Sequence, residues 1–107
     1  MDAALAPEGD DLAEALGRLQ NPEAVILDDL LDMAVTEGFK TWLRDPKSSR
    51  SIPHRMDEVG YVPVHNRDDQ RGRWQVGGRQ RIVYVRKDLE AGERLAAARR
   101  RAGRWTG

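Results

Sequence analysis

Residues 72–85 read GRWQVGGRQRIVYV, two segments with large apolar residues two apart (Trp74 and Val76, Ile82 and Tyr84) that are joined by a pair of glycines. Alternation with a period of two is typical of β-strands, and adjacent glycines accept the positive φ angles of a tight hairpin turn. The pattern therefore predicts strands over 73–76 and 81–85, joined through Gly77-Gly78. Several arginines lie along this predicted hairpin.

A helix and a further strand are predicted just before the hairpin. Residues 51–59 carry apolar side chains at helical spacing, with Ser51 as the expected N-cap and Gly60 as the residue that ends the helix. Residues 61–64 alternate again and predict a strand, and the proline within it indicates an edge position. Residues 66–72 are polar and predict a loop.

The N-terminal part of the chain predicts a disordered lead-in and two amphipathic helices. Residues 1–10 consist mostly of Ala, Pro, Gly and acids, which supply little to bury. Residues 10–20 carry Leu and Ala at i, i+3, i+4 and i+7, the spacing of one helix face. A short helix over 39–45 repeats this spacing and ends before Pro46, because the residue that precedes a proline avoids the α region.

The segment between these two helices allows two interpretations. Residues 25–27 form a short strand that enters a helix capped near Asp28, or the helix runs throughout from Pro22 with Asn21 as its N-cap. Residues 28–35 are helical under either interpretation, because their apolar side chains keep a period near 3.6 residues.

The order of all the predicted elements indicates a fold class. Residues 89–101 are rich in Ala and Arg and predict a last helix. Three short helices, a small antiparallel sheet with a hairpin wing, and a C-terminal helix form the α+β order of a winged helix-turn-helix, in which 51–59 is the recognition helix. We expect a flexible or weakly helical acidic segment over 1–20, a winged-helix domain over 21–98 and a basic flexible tail over 99–107.

The zero net charge conceals a separation of charge along the chain. Residues 1–46 carry eleven Asp/Glu against three Lys/Arg, whereas residues 47–107 carry fifteen Lys/Arg against seven Asp/Glu. The first part therefore sums to −8 and the second to +8. A helix and an arginine-bearing hairpin in a basic segment are typical of a surface that grips a phosphate backbone.

The candidate nucleic-acid-binding residues are basic and hydroxyl side chains at the start of the predicted recognition helix and along the hairpin. The hairpin arginines are expected to contact phosphates along the minor groove, and the hydroxyls and free amides of the helix start offer an anion site. The alternative is a solvated wing whose charges serve solubility alone. The predicted site residues are Lys47, Ser49, Arg50, Ser51, His54, Arg55, Arg71, Arg73, Arg79 and Arg81.

The sequence predicts no catalytic residue, no cofactor and no metal site. The chain has no cysteine, which excludes disulfides and thiolate ligands, and two histidines alone are a poor case for zinc. Acid pairs such as Asp57-Glu58 have no partner at a catalytic spacing. No apolar run approaches the ~18–20 residues of a membrane span, so a soluble, cytoplasmic protein without a membrane partner is expected.

Two segments of the chain resemble a known family. Residues 50–61 read RSIPHRMDEVGY and residues 72–89 read GRWQVGGRQRIVYVRKDL. With them, the stretch from about Leu27 to Leu95 resembles the C-terminal winged-helix region of phage- or plasmid-type primase–helicase replication proteins of the virulence-associated E kind. The resemblance implies a non-catalytic accessory domain beside a replicative ATPase. No Gly-x-x-x-x-Gly-Lys-Ser/Thr loop is present, so the ATPase is expected outside this chain. The acidic N-terminal third does not map onto the family.

These observations predict a DNA-binding accessory domain of a mobile-element replication protein, with the strandedness of the DNA left open. The remainder of a larger ATPase or primase chain, or a replication partner, is the expected protein contact. A protein–protein adaptor or oligomerisation module without nucleic-acid binding is the alternative, because the acidic first part and the zero net charge favour it. In a third interpretation, the acidic segment folds over the basic surface and suppresses binding until it is displaced.

Overall fold

In a computed structural model that describes residues 7–103, with side chains from residue 11, the chain folds as a small α+β domain. The helices are α1 (Pro7–Arg18), α2 (Leu27–Met33), α3 (Glu37–Arg44), a 3-10 helix (Pro46–Arg50), α4 (Ile52–Glu58) and α5 (Ala91–Gly103). The strands are β1 (Ala24–Val25), β2 (Tyr61–Val64), β3 (Trp74–Val76), β4 (Arg79–Arg81) and β5 (Val83–Arg86). No helix within 7–103 is long and apolar enough to cross a membrane.

Strand β5 is the centre of a three-stranded antiparallel sheet of order β1-β5-β2. Successive side chains of a strand point to opposite faces, and both faces of β5 are buried. Tyr84 packs with a cluster built mainly from α1 to α4, whereas Val83 and Val85 pack with α5 and with Trp74 of the hairpin. The sheet thus separates two hydrophobic clusters. Pro63 lies in the edge strand β2, which confirms its predicted position.

Strands β3 and β4 form the predicted hairpin as a separate two-stranded unit between β2 and β5. Gly77 and Gly78 form its turn with φ angles of 60° and 81°, as the tight turn requires. The predicted strand over 81–85 is wrong in one respect. It breaks at Ile82, which is 40% exposed, so Arg81 belongs to the hairpin and Val83 to the main sheet.

Helix α1 belongs to the folded domain, which corrects the predicted organisation. Leu12 and Leu16 are 0% and 1% exposed and pack in the larger hydrophobic cluster, so residue 20 is no boundary between a flexible segment and a domain. The helix begins at Pro7, earlier than predicted and inside the expected lead-in. Proline suits the first helical position because it has no amide to leave unpaired. The rest of the lead-in, residues 1–6, lies outside the described residues.

The ambiguous segment adopts the strand interpretation. Asn21 has a φ of 49° and its amide donates to the Leu16 carbonyl at 2.8 Å, so it closes α1 and does not cap a helix starting at Pro22. Strand β1 follows and pairs with β5 in the register Val25 to Tyr84. Helix α2 then begins at Leu27 and ends at Met33, two residues short of the prediction.

Helix α4 lies where the recognition helix was predicted, although its start differs. A 3-10 helix directly precedes α4, and the expected cap is wrong. The Ser51 hydroxyl donates to the Ser48 carbonyl at 3.1 Å and makes no capping bond, because Ser51 itself has helical φ and ψ. Gly60, with a φ of 96°, ends the helix as predicted.

Helix α5 includes part of the predicted basic tail. Residues 99–103 continue the helix, and Arg101 within it is buried, so a flexible tail from residue 99 is wrong for these positions. Residues 104–107 lie outside the described part of the chain. Ala97 and Ala98 are buried against the sheet, which brings α5 into contact with β1, β3 and β5.

Candidate nucleic-acid interface

The predicted residues before α4 form a group of exposed polar side chains. Lys47, Ser49 and Arg50 all lie on the 3-10 helix and are exposed. The Asp45 carboxylate accepts the Lys47 amide at 2.9 Å, which fixes the start of this helix. Neither Lys47 nor Arg50 forms an ion pair with any described carboxylate, so both cations are free to meet an anion from outside.

The two basic residues on α4, His54 and Arg55, both contact the carboxylate of Glu58. Arg55 Nη1 lies 3.2 Å from Glu58 Oε1, and His54 Nε2 lies 3.6 Å from Glu58 Oε2. Residues three and four apart are neighbours on a helix surface, so this contact follows from the sequence spacing. An external phosphate would have to compete with Glu58 for both side chains. His54 and Arg55 are therefore poorer phosphate ligands than the cations of the 3-10 helix.

Strand β4 turns its arginines towards acidic side chains at the start of α2. Arg81 Nε donates to Asp28 Oδ1 at 2.9 Å, and its Nη1 donates to the Gln80 carbonyl at 3.0 Å. Arg79, two residues earlier on the strand, lines a cleft of about 320 Å³ together with Asp29 and Asp32. We call Arg79, Arg81 and these three aspartates the hairpin face. Arg81 is thus paired within the chain, whereas Arg79 is exposed and forms no ion pair with any described carboxylate.

The loop before β3 holds the other two predicted arginines. One Asp69 carboxylate oxygen accepts the amides of Arg71 at 3.0 Å and Arg73 at 2.8 Å, so the loop is closed by its own aspartate. The Arg71 side chain is exposed, whereas Arg73 is half-buried and its Nε has no hydrogen-bond partner. Arg71 is therefore available to a ligand, and Arg73 serves mainly as part of the packed loop.

Two further ion pairs join the acidic and basic parts of the chain. Arg101 Nε and Nη2 donate to the Asp29 carboxylate at 2.9 and 2.7 Å, and this bidentate contact raises the pKa of Arg101. Arg100 Nη2 lies 2.6 Å from Glu23 Oε1 on the exposed side of α5. Together with Arg81–Asp28, these pairs neutralise three cations of the basic segment.

Three cations that border the hairpin side of the domain are not among the predicted site residues. Arg67 lies in the loop after β2, and Arg94 and Arg99 lie on α5. Arg94 donates to the carbonyls of Leu89 and Lys87, both at 2.7 Å, and so holds the turn that leads into α5. The available signal was the polar loop at 66–72, where Arg67 precedes the predicted Arg71, but nothing local indicated that α5 packs beside it.

The predicted site residues fall into two groups on different elements. The 3-10 helix packs against α3 and α4, whereas β3 packs against β4 and α5. Within the described residues, no cluster of three or more His, Cys, Asp or Glu side chains is arranged to hold a metal ion. The available chemistry is therefore that of exposed guanidinium and ammonium groups, which bind anions.

A cleft of about 630 Å³ is bordered by α4, β2 and the turn after β5. Lys87 bonds to Asp57 and lowers the pKa of that carboxyl, and Arg86 does the same to Asp88 through contacts of 2.7 and 3.1 Å. A lowered pKa keeps a carboxyl group charged at neutral pH, so these two act as ion-pair partners and not as proton donors.

Comparisons of this chain with family models, with curated proteins and with solved structures return no match.

Proposed function

We propose that this chain is a non-catalytic DNA-binding domain of winged-helix type, an accessory domain of a mobile-element primase–helicase replication protein. The observation that supports binding most strongly is the set of exposed cations without a described carboxylate partner. Lys47 and Arg50 lie just before α4, and Arg71 lies at the base of the hairpin. Phosphate needs such uncompensated positive charge.

The connectivity supports the winged-helix assignment. Helix α4 leads directly into the edge strand β2, and the hairpin follows between β2 and the central strand β5. In a winged helix-turn-helix, the helix before the sheet is the recognition helix and the hairpin is the wing. Strand β1, between α1 and α2, completes the sheet on the far side of β5. The proposed binding cations thus lie next to the helix and the wing in the chain.

The proposed mechanism relies on the phosphate backbone and reads little base sequence. Arg50 and Arg71 would each engage phosphate oxygens through a planar fork of N–H donors, while Lys47 would act as a point charge. Glu58 occupies the outward side of α4 through His54 and Arg55, which leaves few donors for base edges. Affinity should therefore vary little between sequences and strongly with salt.

Fluorescence anisotropy with labelled duplex and single-stranded DNA across a salt series tests this proposal. The variant Lys47→Ala/Arg50→Ala should bind every sequence more weakly and flatten the salt dependence on duplex by about 1.8, at ~0.9 for each phosphate that is no longer neutralised. Arg18→Ala/Lys40→Ala is the matched control, since it removes two exposed cations that already have partners on their own helices. Equal effects of the two variants would remove the 3-10 helix from the interface.

A protein–protein adaptor is the second candidate, and a particular observation favours it. Val35, in the turn between α2 and α3, is 61% exposed and is the most exposed large apolar side chain of the described residues. Absence of binding to either form of DNA at low salt would contradict the DNA proposal. Analytical ultracentrifugation of the wild type and of Val35→Ser would then test whether this turn mediates self-association.

A further inference from the structure

Two adjoining clefts lie between the loop after β2 and α5. One, of about 310 Å³, is lined by His65, Arg67, Arg94 and apolar residues of β2 and α5. The other, of about 140 Å³, is lined by Arg67, Arg99 and the edge of Trp74, among others. Arg67 and Leu95 border both clefts, so the two clefts lie side by side along α5. We call the two clefts together the loop–helix trough.

Cations dominate the loop–helix trough. Arg67 and Arg99 are exposed, and neither they nor Arg94 forms an ion pair with any described carboxylate. One acid, Asp68, lies at the end near Arg99. Three guanidiniums thus face one carboxylate, whereas Arg79 and Arg101 line the cleft at the hairpin face together with three aspartates. The trough therefore carries positive charge that its own lining does not compensate.

Arg94 is held in place before any ligand arrives. Its Nε and Nη2 already donate to the carbonyls of Leu89 and Lys87, so the side chain is ordered while its charge stays uncompensated. Leu95 forms part of the trough wall in both clefts and offers apolar contact beside the charges. An ordered cation with an apolar neighbour suits a ligand that alternates charged and apolar groups, as a sugar–phosphate chain does.

We propose that the loop–helix trough binds the phosphate backbone of a nucleic-acid strand, with Arg67 and Arg99 as its main phosphate contacts and Arg94 as a positioned charge. This inference rests on the proposed DNA-binding function and adds residues outside the helix and wing. Arg94 and Arg99 are separated by about 7.5 Å along the axis of α5, from a rise of 1.5 Å per residue. The two cations thus lie at different points along the trough and can contact different phosphates of one strand.

The test compares Arg67→Ala/Arg99→Ala with the wild type by anisotropy, between about 50 and 200 mM salt. Removing two phosphate-binding side chains should make binding more than about twelvefold weaker at the lower salt and lower the salt slope by about 1.8, so that most of this difference in affinity disappears at the higher salt. Arg18→Ala/Lys40→Ala provides the same change of charge elsewhere. Circular dichroism establishes that each variant is folded.

A second variant is expected to strengthen DNA binding, and a gain in affinity cannot result from a loss of fold. Asp68→Asn removes the acid that borders the trough and should tighten binding two- to threefold, whereas Glu14→Gln on α1 should change it less. If wild-type DNA binding is absent, the proposed function fails. If the wild type binds and neither Arg67→Ala/Arg99→Ala nor Asp68→Asn differs from its control, the trough is wrong and the proposed function stands.

Discussion

The hairpin face and the loop–helix trough both carry arginines, but more acidic side chains lie beside the arginines of the hairpin face. On the hairpin face, Arg81 bonds to Asp28 at 2.9 Å and Arg79 lies beside further aspartates of α2. In the trough, Arg67 and Arg99 have no described carboxylate partner. The comparison shows that an arginine count along the chain does not measure the charge that a surface offers. What matters is which acids the fold brings to each arginine.

The largest expected effect concerns the buried pair that joins α5 to α2 beside the hairpin face. Arg101→Ala should lower the free energy of unfolding by about 3 kcal/mol, because it leaves the partly buried Asp29 carboxylate without its bidentate partner. Urea unfolding measures this change. Arg100→Ala is the control, since its pair with Glu23 is half-exposed and should contribute less than about 1 kcal/mol. Equal losses would show that burial does not distinguish the two pairs.

A pH series separates binding by either arginine region from loss of the fold. Burial raises the pKa of Tyr84 to about 12 from 10.0, so the folded state retains a proton that the unfolded state releases. This contribution is intact below pH 10 and is lost as the pH rises towards 12, by about 1.4 kcal/mol at pH 11.

Both regions should keep their affinity per folded molecule while the fold remains intact. Thermal unfolding at pH 8 to 11 checks the expectation, with Tyr84→Phe as the variant that should be less sensitive to alkali. If Tyr84→Phe follows the wild type throughout, Tyr84 does not cause the alkaline loss.

The smallest effect tests whether acids of α2 restrain the hairpin face. Asp28→Asn should release Arg81 and tighten DNA binding about threefold, a gain of about 0.6 kcal/mol. Glu37→Gln is the matched control, because it removes one acid from the first turn of the neighbouring helix α3. Identical affinities would mean that the hairpin face takes no part in binding. Deletion of residues 1–20 is not a suitable test of whether acidic residues suppress DNA binding. It would remove Leu12 and Leu16 from the hydrophobic cluster.

Much of the secondary structure was predictable because it follows from local periodicity. The hairpin at Gly77-Gly78, the short helix before Pro46 and the edge position of Pro63 each follow from residue type and spacing. Strand β1 was ambiguous, because two residues carry no period and need β5 as a partner. The prediction that Ser51 caps α4 was wrong, because Ser51 follows a 3-10 helix and already has helical backbone angles.

The candidate site was less predictable than the fold. Lys47 and Arg50 remain exposed as expected, but Arg81 and Arg101 are neutralised by acids that lie 53 and 72 residues away in the chain. Arg67 and Arg99 were not among the predicted site residues, because no local pattern links a loop residue to a helix residue that lies beside it. Such pairings depend on the tertiary arrangement alone.

The sequence by itself determined most of the helices and strands, the hairpin turn and the separation of charge along the chain, because each depends on residue type and short-range spacing. The tertiary structure decided which face of β5 each helix covers, and it decided which arginines find a carboxylate. The physical reason is the short range of ion pairing in water. A carboxylate compensates a guanidinium only when the fold brings the two within a few ångströms.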